Sequence, residues 1–202
     1  LEDYRNDLVK SLFNTMINNR LDEISNNPNP PFTYGYSIHG SDCSRNKKSY
    51  QSFAMTNPES QLNAFKTLVE ENERVLRHGF LETELIRAKK SLVARYESTY
   101  KNRDKTESGR IVWEYVNHFL EGEMIPGIEW EFNAVKALNE GIGIGEINEL
   151  ITRYIHDDNR VIVFTGPENA DNNYVTKEQI LEVLENVKKA AILPYSEGIV
   201  AT

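Results

Sequence analysis

Large apolar residues recur at Leu8, Leu12, Phe13, Met16, Ile17 and Leu21, the i, i+4 spacing of one face of an amphipathic helix. Asp3 stands where a carboxylate caps free backbone N–H groups, and the pattern predicts a helix from near Asp3 to near Ile24. The run Asn26–Pro31 stops it, because proline lacks an N–H and constrains the residue before it. Phe32, Tyr34, Tyr36 and Ile38 then alternate with Thr33, Gly35, Ser37 and His39. That period of two predicts a half-buried strand to about Ser41. A polar turn, Asp42–Lys47, leads to a second strand over Tyr50–Thr56, with Phe53 and Met55 on one face. The two strands pair as an antiparallel hairpin, and the helix lies on the sheet they make.

Asn57–Pro58–Glu59 starts a second helix, with Asn as its cap and Pro in its first turn. Its stripe reads Leu62, Phe65, Leu68, Val69, Val75 and Leu76. Glu70/Arg74 and Glu73/Arg77 form i, i+4 pairs on a solvated face, and Gly79 closes the helix. The next helix, Glu82 to Lys101, buries Leu85, Ala88, Leu92 and Tyr96. Asp104 and Glu107 hold capping-box spacing for a helix showing Ile111, Val112, Tyr115 and Phe119 and ending at Gly122. A short helix follows around Trp130–Leu138, then the turn Gly141–Gly145 and a helix through Ile147, Leu150, Ile151 and Tyr154. Arg160–Thr165 reads as the most apolar strand in the chain, ended by Gly166–Pro167. A loop to Tyr174 and an amphipathic helix, Thr176–Lys189, complete the order.

That order predicts an α+β domain over residues 1–190, with helices on one face of a small, mainly antiparallel sheet. Residues 191–202, bearing Pro194 and Gly198, read as a linker toward a following unit. Three strands make a thin sheet, and one more upstream of Leu1 would complete it. The edge it leaves open calls for a cap from a loop or a neighbouring chain, including a second copy in a homodimer.

Charge narrows the function. With 31 acidic and 23 basic residues the net charge is −8, which excludes nucleic acid as a partner, since duplex binding needs clustered cations. The densest basic patch, Arg45–Lys48, reads as a solvated turn. Cys43 is the single cysteine, a structural thiol that permits neither an intrachain disulfide nor a thiolate metal cluster. No apolar run approaches the ~18–20 residues of a membrane span. The start, Leu-Glu-Asp-Tyr-Arg, carries neither an initiator Met nor a signal peptide and reads as a cut inside a longer polypeptide.

Catalytic signatures are missing. His39, His78, His118 and His156 are far apart, and neither H-E-x-x-H nor H-x-x-E-H occurs. His156–Asp157–Asp158 has ligand chemistry but the composition of a solvated turn. No serine sits in G-x-S-x-G, and Ser37 and His39 share a strand face without a third partner. Gly141-Ile-Gly-Ile-Gly145 fails as a dinucleotide loop: Glu146 replaces the third glycine and no strand precedes it. Tyr34 and Tyr36 are either strand packing or groups that grip a ligand.

Four blocks together resemble the second unit of bacterial insulinase/pitrilysin-like (M16) zinc peptidases. They are Leu8–Phe32, Asn72–Tyr100, Glu114–Phe132 and Asn159–Glu168. The resemblance implies a LuxS/MPP-like α+β unit, its opening strand outside this chain, that walls an enclosed peptide chamber. It implies no catalytic or metal residue here; zinc belongs to an upstream catalytic domain of the same polypeptide, and the setting is periplasm or cell envelope. It also suggests Arg20, Tyr34 and Tyr36 as residues that hold the peptide substrate. Without the resemblance, the same residues read as a stand-alone acidic module that binds a protein or peptide.

Overall fold

The computed structural model describes residues 1–44, 47–166 and 174–197, and the side chains of all these but 41–44. The side chain of Cys43, the turn residues Arg45 and Asn46, and the loop 167–173 lie outside it. The fold is α+β, a two-stranded antiparallel sheet with helices stacked on one face. Its order is α1 Glu2–Ser25, β1 Tyr34–Ser44, β2 Lys47–Met55, α2 Gln61–His78, α3 Glu82–Lys101, α4 Ser108–Glu121, α5 Ile128–Asn139, α6 Ile144–Tyr154 and α7 Lys177–Lys189.

The centre is α1. All six apolar residues of its expected stripe are buried, joined by Val9 and Arg20. Leu8 to Ile17 meet Val75, Phe80, Leu85, Ala88, Leu92, Val135, Ile147 and Ile151 in one core. Leu21 packs with Phe32, Ala64 and Leu68 in a second. Phe13 sits edge-on against Phe80 and Tyr154, with ring centroids 5.6 and 5.1 Å away. Asp3 is not the cap: Leu1 holds that position, and Asp3 acts within the first turn, where a negative charge suits the helix dipole.

Helix α1 also closes the outer edge of β1. Asn18 accepts from the Ser37 amide at 2.8 Å and donates to the Ser37 carbonyl at 2.7 Å. Asn14 does the same at His39, at 2.9 and 3.4 Å. Four helical residues rise about 6 Å and two strand residues about 6.6 Å, so an i, i+4 asparagine pair matches the backbone groups of residues i and i+2 of a strand. A pair of helix side chains thus caps this edge, in place of the loop or neighbouring chain expected. The hairpin is longer than expected, pairing Tyr34 with Met55 and continuing to Ser44 opposite Lys47. Its inner face is tied down by polar contacts: Ser37 Oγ meets Ser52 Oγ at 2.8 Å, and Tyr50 donates to Asn72 of α2 at 2.6 Å.

Several expectations need correction. Arg160–Thr165 joins no sheet: Val161 and Val163 are 84% and 74% exposed, and only Ile162 and Phe164 turn inward, Phe164 against Phe65. Apolar alternation gives a segment its extended shape, but a strand also needs a ladder partner, and none among the described residues pairs with this one. Helix α4 starts at Ser108 with Glu107 as its cap, because Asp104 is taken into the 3-10 turn Arg103–Lys105; α4 buries no residue. Arg74 and Arg77 are not simply solvated. Arg77 donates to the carbonyls of Val187, Lys188 and Ala190 at the end of α7, while Arg74 pairs with Glu71, not Glu70, and reaches the carbonyl of Leu193. Residues 190–197 accordingly lie against α2 and α1, where Tyr195 donates to Glu23 at 2.7 Å.

Candidate functional site

With the helices on one side, the hairpin shows its other face to solvent. Tyr34, Tyr36 and Ile38 of β1 stand opposite Met55, Phe53 and Gln51 of β2. The rings form a row, Tyr34 to Tyr36 at 5.8 Å and Tyr36 to Phe53 at 5.5 Å between centroids. Tyr34, Phe53 and Met55 are each about half exposed, at 50%, 46% and 54%. Phe32 anchors the row from behind. It is buried beneath Gly35, where an added Cβ would come within 2.7 Å of its ring. The glycine between the tyrosines thus admits the ring that holds the strand down and turns both phenols outward. The surface offers flat aromatic area, a thioether and two phenolic hydroxyls. It suits an extended apolar chain and holds no acid–base pair.

Arg20 lies elsewhere, with 1% of its side chain exposed. Its Nε and Nη2 donate to both oxygens of Glu84 at 2.7 and 2.8 Å, its Nη1 to Glu71 at 3.1 Å, and its Nη2 also to the Gly79 carbonyl at 3.0 Å. Phe80 and Tyr195 flank the guanidinium, 4.8 and 4.3 Å from its carbon. Burial alone would lower its pKa, yet the bonds to Glu84 and Glu71 leave it raised. Arg20 therefore fastens α1 to α2 and α3, and the structure does not bring it to the tyrosine row. Sequence reading missed both partners. Glu71 had a signal, for it sits in the buried stripe Ala64–Leu68–Glu71–Val75, where a carboxylate implies an internal cation.

The histidines are dispersed. His39 stacks on Tyr154 at 3.6 Å, and burial, with Lys48 and Lys10 nearby, lowers its pKa. His78 meets the Ile192 carbonyl, His118 the Glu123 carbonyl, and His156 lies 3.9 Å from Asp158. Asp157 is held by Arg160 and Lys188. Among the described residues, no three His, Cys, Asp or Glu side chains converge as a metal site would require. No described helix is long and apolar enough to cross a membrane. Glu146 caps the Gly143 amide of α6 and pairs with Arg5 at 2.6 Å, which gives the glycine turn a structural part.

No protein-family model matches the chain. It is 28% identical over 202 residues to a zinc protease PQQL-like of Arabidopsis thaliana, spanning 98% of this chain and 18% of that protein. The first half of the periplasmic protease PqqL from Escherichia coli has the same fold, with a TM-score of 0.73 at 14% identity over 97% of this chain and 42% of that one. A predicted insulinase family protease from Yersinia pestis superposes with a TM-score of 0.59 at 13% identity, over 92% of this chain and 39% of that one. The chain thus spans well under half of each of these proteins. The described side chains do not fit the zinc that the Arabidopsis protein's name implies. In sequence this chain resembles a zinc protease, and in fold it resembles a part of insulinase-like proteases, each of which it matches over less than half of the length.

Proposed function

We propose that this chain is a non-catalytic unit of a longer zinc peptidase, forming part of the wall along which an extended peptide lies. The carrying observation is the solvent-facing row of Tyr34, Tyr36, Phe53 and Met55 on the sheet face opposite the helices. Tyr34 and Tyr36 touch the peptide. Arg20 contributes by holding α1, and through it the hairpin, in place. Zinc and the bond-breaking groups belong to another domain of the same polypeptide, in the periplasm or cell envelope. The dispersed histidines support this division, as does the zinc-protease relative, of which the chain covers 18%.

The test is kinetic, on the longer polypeptide. Tyr34→Ala with Tyr36→Ala removes two aromatic contacts, each worth about 0.5–1.5 kcal/mol beyond its area. The expected result is a KM raised roughly 5- to 100-fold with kcat nearly constant, the sign of lost uniform binding. Unchanged KM for every peptide tried, or a fall in kcat alone, overturns the assignment.

A further inference from the structure

Helices α3, α4 and α5 border a cleft of about 440 Å³, within the ~300–1,000 Å³ range of small-molecule sites. Tyr96 of α3 and Trp113 of α4 give it aromatic walls, and Arg95, Arg110, Glu114 and Glu131 give it charges of both signs. Arg95 is already engaged: it donates to the Ser11 hydroxyl at 3.3 Å and lies 5.6 Å from the Tyr96 ring centroid. Arg110, Glu114 and Glu131 are not. Among the described residues, none of these three side chains makes a hydrogen bond or an ion pair, with one another or with any neighbour. Glu131 is half-buried, and a carboxylate withdrawn from water calls for a cation or donors. Burial and the like charge of Glu114 push its carboxyl above the usual range, and Arg110 offsets only part of this. The buried Glu71 meets the same need internally, through Arg20; Glu131 has no such partner.

The spacing of these charges sets the ligand. Arg110 and Glu114 stand four residues apart on α4, a rise of about 6 Å. Trp113, 65% exposed, lies between them in sequence and offers its indole to an apolar group. Two extended peptide residues cover about 6.6–7.2 Å, whereas one amino acid covers half of that. We propose that this cleft binds a free dipeptide with an apolar side chain, its ammonium held by Glu114 and Glu131 and its carboxylate by Arg110. The site is built from helices, away from the sheet face that bears Tyr34 and Tyr36, and it does not depend on the chain being a unit of a peptidase.

Isothermal titration calorimetry of the purified 202-residue chain with leucyl-phenylalanine tests it. The expected result is saturable binding at one site, weakened about tenfold or more when the dipeptide is N-acetylated, when it is C-amidated, or when free phenylalanine replaces it, because each change forfeits a charge-assisted bond. The variants tie each end to its residue. Arg110→Gln weakens the free dipeptide about tenfold and leaves the already weak C-amidated form unchanged. Glu131→Gln does the same for the free dipeptide and spares the N-acetylated form. Both variants keep the melting curve of the parent chain by circular dichroism, since neither side chain is bonded within the fold. No saturation by millimolar dipeptide overturns the proposal. So does a C-amidated form that binds as tightly as the free one, which would make the cleft a site for a cation alone. Variants that weaken every form equally, or none, remove Arg110 and Glu131 from the site. Binding abolished by Tyr34→Ala with Tyr36→Ala but kept by the cleft variants places the dipeptide on the sheet face instead, which overturns the cleft and leaves the peptide-wall reading standing.

Discussion

Replacing Arg20 with Met removes a buried charge while keeping much of the side chain's volume. It deletes both bonds to Glu84, the bond to Glu71 and the bond to the Gly79 carbonyl. The two carboxylates are not left equal. Glu71 keeps Arg74 at 2.8 Å, whereas Glu84 keeps, among the described residues, the Leu81 amide, also at 2.8 Å. Breaking a buried pair by removing one partner costs about 3–5 kcal/mol, a large share of the ~5–15 kcal/mol that holds a domain folded. At this chain length the loss corresponds to roughly 2–4 °C of melting temperature per kcal/mol. Since Glu84 carries most of the unpaired charge, adding Glu84→Met recovers part of the loss, for an apolar replacement of a whole buried pair is often neutral. Urea denaturation of the single and double variants, followed by circular dichroism, gives both numbers. A single-variant loss below about 1 kcal/mol, the range of an exposed ion pair, refutes the reasoning, as does a double variant less stable than either single one.

Further outcomes follow from the same contacts. Asn18→Ala strips the amide and carbonyl of Ser37 of their partners, at about 1–3 kcal/mol; with Asn14→Ala it opens the β1 edge, so light scattering on storage rises, and unchanged stability and solubility contradict the edge-cap reading. Gly35→Ala drives a methyl to within 2.7 Å of the buried Phe32 ring and costs about 1–3 kcal/mol by overpacking, read as a lower urea midpoint; an unchanged midpoint means the ring has room to move. Burial, Lys48 and Lys10 hold the His39 pKa below 6.5, so on acidification the unfolded chain takes up the proton first. Its contribution is whole above 6.5 and declines as pH falls through the lower folded value. His39→Phe, which keeps an aromatic ring against Tyr154, flattens the melting-temperature profile there, and an unaltered slope removes His39 as the cause.

What the sequence disclosed was local. Leu8 to Leu21 announced α1 because a helix repeats every 3.6 residues, and the amphipathic pattern of Thr176–Lys189 announced α7. The alternation through Tyr34 and Tyr36 placed both phenols on one face of β1. What it did not disclose was which surface meets which. Val161, Ile162, Val163 and Phe164 read as a buried strand, but their pairing depends on a distant segment that periodicity does not name. Ile111, Val112, Tyr115 and Phe119 form an apolar stripe without saying what covers it. Arg20 was expected to hold peptide, and its internal partners stayed hidden because neither Glu71 nor Glu84 is near it in sequence, 51 and 64 residues away.

Peptide cleavage by the isolated chain puts the central claim most directly at risk. The purified 202 residues are incubated with a mixture of fluorogenic peptides, with added zinc and with a chelator, while bound zinc is measured by elemental analysis. The account predicts no cleavage and no stoichiometric zinc. Turnover that the chelator abolishes, accompanied by one zinc per chain, would place the bond-breaking machinery here and contradict it.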